Sequence, residues 1–142
     1  MDILLVSAWF HDSGYLFTYR GHEDAGMAIA GTFLIQHQVS RDFMNEVFAC
    51  IEATKMPQLP KNILQEIICD ADLYHFSSPD YPIYAEKLRR EWAEWLDKHF
   101  SDKDWNELNW SVMRHHQYFT NYGKTILQAK KQKNMALLMP GT

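Results

Sequence analysis

The chain has 142 residues, 46% of them hydrophobic and 14% aromatic, enough to bury one sizeable core and too few for two ordinary domains, so a single domain over residues 1–142 is expected. Lys and Arg number 14 against 18 Asp and Glu, a formal net charge of -4 without a basic tract, so no nucleic acid polymer is expected as a partner. No apolar run approaches the ~20 residues that cross a bilayer and no basic leader opens the chain, so no membrane contact and a cytoplasmic location are expected.

Apolar residues recur at helical spacing along the chain, without the clean alternation of strands. Residues 2–12 are apolar on nearly every side (Ile3, Leu4, Leu5, Val6, Ala8, Trp9, Phe10), which predicts a central helix buried by neighbours all round. From His22 to His37 the stripe is Ala25, Ile29, Ala30, Phe33 and Leu34. Ser40 is placed to cap a third helix with the face Met44, Val47, Phe48, Ile51. Pro57 and Pro60 break the chain before a fourth helix with the stripe Leu64, Ile67, Ile68, Ala71. Cys50 and Cys69 fall inside these helices at no metal-binding spacing and are expected as buried, reduced thiols. After the SSPDYP turn a long amphipathic helix sets Tyr81, Tyr84, Leu88, Trp92, Trp95 and Leu96 on one face, so the Trp92 and Trp95 pair belongs to the core. Residues 103–119 predict a sixth helix, and 121–133 a charged, peripheral seventh. The pattern is that of an all-α bundle of about six to seven helices.

Two stretches put costly polar groups against this apolar pattern. In "AWFHDSGY", residues 8–15, His11 and Asp12 follow directly on the buried helix, and Gly14 lets the chain turn away. Adjacent helical side chains point about 100° apart, so both reach one ion only at a helix terminus. A helix cap with a packed histidine is the competing account. In "IICDADLYHF", residues 67–76, Asp70 and Asp72 end another apolar helix, where an ionised carboxylate needs a cation or donors. They flank the stripe on opposite sides, and periodicity does not choose between them.

An HD pair closing an apolar helix, a G-Y turn, an H-E opening the next helix and a D-A-D-L ending a later one resemble the HD-domain superfamily of metal-dependent phosphohydrolases, over Leu4 to Glu91. The resemblance implies that His11, Asp12 and Asp72 ligate a divalent metal ion, with Asp70 as an acid supporting the ligands. The stretches "CIEATKMPQLP" and "HHQYFTNYGK" further resemble bacterial effectors of the pyrimidine cyclic-nucleotide (Pycsar) defence system, in which an HD domain precedes a membrane-associated region. The family carries a further histidine on a helix before the HD pair, and here only ten residues precede His11. The chain is therefore expected to lack that first helix as a fragment, or to be a member with a weakened site. The apolar character of residues 3–10 favours the fragment, and the apolar Met135–Met139 is expected either to fray or to meet a missing C-terminal region. Two-metal members use two more histidines. His22 fits the first, but the region of the second reads Ala53, Thr54, Lys55, so one metal is expected, with His22 in reserve as an additional ligand.

Imidazole and carboxylate ligands suit Mn, Fe, Ni, Co or Zn, and Mg less well. Such an ion acidifies water and polarises a phosphoryl oxygen, so the expected activity is hydrolysis of a phosphate ester, in a nucleotide or related small molecule. Glu23 is the candidate to orient or deprotonate the water, though acids also favour any first helical turn. Lys55 and Arg89 are candidates to neutralise the phosphate. His115 and His116 have no acid or cysteine at ligand spacing and are expected to pack against Tyr118 and Phe119. A non-catalytic nucleotide-sensing module is the alternative, and a homodimer is compatible with either.

Overall fold

In the computed structural model, which describes residues 2–138, the first helix begins where Asp2 accepts hydrogen bonds from the backbone N–H groups of Leu4 and Leu5. Seven α-helices follow in chain order among the described residues, with no strand: α1 (Ile3–Phe10), α2 (His22–Gln36), α3 (Arg41–Thr54), α4 (Ile63–Asp72), α5 (Tyr81–Leu96), α6 (Asp102–His115) and α7 (Gln128–Leu138). None is long and apolar enough to cross a membrane. The chain divides into two compact units, Met1–Asp72 and Leu73–Thr142.

The first unit is built on Ala30 and Leu34 of α2 and Val47 and Ile51 of α3, all buried, with Ile3, Val6 and Phe10 of α1 packed against them. Leu34, Val47 and Ile51, taken fully from water, contribute roughly 1.5–3 kcal/mol each. Ser7 lies fully buried on the same face of α1 and donates to its own helix at Ile3 and to the Val47 carbonyl. The inward face of α1 is thus Ile3, Val6, Ser7, Phe10, a one-sided stripe. This corrects the expectation of a helix covered all round: Leu5 is 63% and Trp9 81% exposed. Ser40 caps α3 as its sequence predicts, accepting from the Phe43 N–H. Both cysteines are free and buried. In α4 the buried residues are Gln65, Ile68, Cys69 and Asp70, with Asp72 partly buried, whereas Ile67 and Ala71 of the expected stripe are exposed.

The second unit centres on Phe76 of the 3-10 turn Tyr74–Ser77, Tyr81 of α5 and Met113 of α6, with Met135 and Leu138 of α7 packed against them. Trp92 meets Trp105 edge to face and Phe100 at a tilt, whereas Trp95 is 70% exposed, so only the first of the pair joins the core. The sixth helix stops at His115 because His116 turns extended, which delivers His116 and Tyr118 to the interior. The seventh helix, after a π-helical turn at Gly123–Leu127, is not peripheral: Lys131 and Asn134 are buried, and Asn134 donates to the Phe76 and Ser78 carbonyls. Of the segment Met135–Met139, Met139 lies outside the described residues.

Candidate metal centre

His11 is the C-cap of α1, and Asp12 leads into the 3-10 turn Ser13–Leu16, so the two adjacent side chains project from a helix terminus, where they converge. Gly14 makes this possible by close approach rather than by a left-handed backbone. A Cβ there would run into the His22 carbonyl at the start of α2, and the positive φ belongs to Gly21. Asp72, the last residue of α4, completes the group. His11 Nε2 lies 3.3 Å from Asp12 Oδ2 and 3.6 Å from Asp72 Oδ1, and one ligand atom from each of the three lies within 4.8 Å of the others. Asp12 is the open side of the cluster, its side chain 56% exposed against 19% and 21% for His11 and Asp72.

Backbone carbonyls fix the imidazoles. His11 Nδ1 donates to the Ala8 carbonyl at 2.9 Å and His22 Nδ1 to that of Tyr19 at 3.2 Å, so both rings turn Nε2 towards acids. His22 Nε2 faces Asp12 Oδ1 at 3.7 Å and Glu23 Oε1 at 3.4 Å. Asp12 therefore stands between two imidazoles, one oxygen towards each. The Tyr15 ring stacks on His22 with centroids 3.8 Å apart and planes 17° off parallel, which holds the second imidazole in place.

The charges follow from this crowding. Burial disfavours the charged form of His11, but hydrogen bonds to Asp12 and Asp72 outweigh it and push its pKa up to about 10. The same contact holds the Asp12 carboxyl below its ordinary range. Burial, with the charges of Asp12, Glu23 and Asp72, pushes the Tyr15 phenol up to about 12, so the ring beside the cluster stays neutral. Without an ion the two carboxylates recruit a proton to His11. An imidazole nitrogen and two carboxylates are also a donor set that would suit a divalent cation, whose binding would require His11 to give up that proton.

The remaining candidates fall in different places. Asp70 is buried two residues before Asp72 and outside the three-residue cluster, about 200° round the helix. Lys55 pairs with Asp24 at 2.8 Å and Glu52 at 2.7 Å. Arg89, in the second unit, pairs with Asp102 at 2.8 Å and donates to the Phe100 carbonyl. His115 is exposed and bonds back to Ser111, and His116 packs edge-on against Phe76 and Tyr118. Two residues of the site escaped the sequence analysis as contributors. Tyr15 was visible only as part of a turn. Gln58, between two prolines, reads as loop, yet its Nε2 donates to Asp72 Oδ2 at 3.0 Å. Comparison of the chain with protein-family models, curated proteins and solved structures returned no match.

Proposed function

We propose that the chain is a metal-dependent phosphohydrolase of the HD type, acting on a phosphate ester in a nucleotide or related small molecule. The observation that carries the proposal is the meeting of His11, Asp12 and Asp72, up to 61 positions apart in sequence, around one oriented imidazole nitrogen. These three residues would hold one divalent ion, Mn, Fe, Ni, Co, Zn or Mg. When bound, the ion supplies Lewis acidity for a phosphoryl oxygen and lowers the pKa of water. Glu23, its side chain 13% exposed and directed at His22 Nε2, orients the attacking water or accepts its proton. His22 is the reserve ligand on the far side of Asp12. Lys55 would serve the substrate phosphate only by loosening its pairs with Asp24 and Glu52, whereas Arg89 belongs to the second unit. The second reading is a nucleotide-sensing module without turnover.

The test is elemental analysis of the purified chain after incubation with each ion, followed by a panel of phosphate monoesters and nucleotides. Asp72→Ala is expected to abolish metal binding and turnover. Asp70→Ala should lower metal affinity by at most about 10 to 100-fold, the range of a residue that only supports a ligand. Stoichiometric metal without turnover selects the sensing module. A folded chain that takes up no ion refutes both.

A further inference from the structure

Gln58 lies in the helix-free segment between α3 and α4, is 8% exposed, and belongs to none of the residue types that ligate metals strongly. Its surroundings are anchored. The Lys61 N–H donates to Gln65 Oε1 at 2.7 Å, and Asn62 Oδ1 accepts from the Gln65 N–H at 3.0 Å, tying the end of the segment to the first turn of α4. From there the Gln58 amide reaches the other end of the same helix, where Nε2 donates to Asp72 Oδ2 at 3.0 Å and approaches the Cys69 carbonyl at 3.5 Å. The orientation is unambiguous, because both neighbours are acceptors and only the NH2 side can face them.

This orientation has a cost. Gln58 Oε1 is buried without a hydrogen-bond partner, a situation that native interiors rarely tolerate. A side chain kept merely to fill space would be better served by methionine, which has the same length and strands no acceptor. The amide is retained for what its nitrogen does. It occupies Oδ2 of Asp72, so that the opposite oxygen, Oδ1, is the one presented to His11 Nε2.

We propose that Gln58 is a positioning residue for the metal centre: by holding Oδ2 it fixes the rotation of the Asp72 carboxylate and presents Oδ1 as a single ligand atom. The inference rests on the reading that His11, Asp12 and Asp72 hold an ion. It assigns to the helix-breaking stretch 57–60 a part in the site beyond joining two helices. Outer hydrogen bonds of this kind orient a ligand before the ion arrives, and their removal typically costs about 10 to 100-fold in affinity.

The experiment titrates the full chain and its Gln58→Met and Gln58→Asn variants with Co2+, read by visible absorption, alongside thermal melts in EDTA. Gln58→Met keeps the volume and removes both the donor and the stranded acceptor. Gln58→Asn keeps an amide but withdraws it by one methylene. For both variants the expected result is Co2+ affinity lowered about 10 to 100-fold with an altered absorption band. The metal-free melting temperature of Gln58→Met should be unchanged or higher. Affinity of either variant within twofold of the parent overturns the proposal, as does a metal-free melting temperature of Gln58→Met well below the parent's, which marks a structural role. If the folded parent itself takes up no Co2+, the metal centre is refuted and Gln58 with it, an outcome distinct from a parent that binds and variants that bind equally.

Discussion

Single residues carry the polar decisions of this fold, and they differ in how visible they are in sequence. His11 and Asp12 stand out because a charged pair ends an apolar run. Asp72 does not, because the expected stripe of Leu64, Ile67, Ile68 and Ala71 leaves Asp70 and Asp72 on opposite flanks, and the structure buries Asp70 more deeply than the clustered Asp72. The polar Gln65 and the thiol of Cys69 occupy inward positions that a count of aliphatic residues passes over. Lys131 was hidden for the same reason, as a charge on a basic helix read as solvated. It is 1% exposed, donates to the His116 carbonyl and to its Nδ1, and lies under the Tyr118 ring. Burial pushes its pKa down from 10.5 to about 8. Between those values the unfolded chain binds more protons than the folded one. Stability therefore rises with pH from about 8 towards 10.5 and is lost as pH falls back through about 8. Lys131→Met is expected to remove this rise, measured by thermal denaturation across the window.

Among the elements, α1 shows what periodicity alone cannot decide. Its sequence is apolar at seven of eight positions, with the eighth a serine, so every face resembles a buried one. Packing selects Ile3, Val6, Ser7 and Phe10, because the small Ser7 lets the helix lie close to α3 and can return its hydroxyl to a backbone carbonyl. The substitutions Phe10→Ala and Trp9→Ala separate the two faces. Phe10, partly buried, packs against the core and meets the exposed Phe33 ring at a tilt, and its loss should cost about 2–4 kcal/mol. Trp9, a larger side chain but 81% exposed, should change stability by no more than about 0.5 kcal/mol. Denaturant titration of both variants checks the ranking, and a larger loss at Trp9 would show that this face is covered in solution. The helix whose cap is explicit in the sequence, α3 with Ser40, required no such arbitration.

At the scale of the whole molecule, the all-α class was legible because strand periodicity is absent from the sequence, whereas the division at residues 72 and 73 was not, since no linker composition marks it. The three clustered residues, with His22, Glu23 and Gln58, all come from the first unit. An ion that binds only the folded arrangement stabilises it by mass action, by about 2.7 kcal/mol at a hundredfold excess over Kd. Adding Co2+ should raise the melting temperature of the chain, EDTA should reverse the rise, and His11→Ala should melt identically with and without the ion. Trp9 gives this equilibrium a second use. An indole 81% open to water emits near the red limit of tryptophan fluorescence, and it stands less than one helical turn from His11. A paramagnetic ion at the cluster would sit within quenching range of that indole. Were an ion held at the cluster, the loss of Trp9 emission, read against the same titration of Trp9→Phe with its four remaining tryptophans, would report its occupancy.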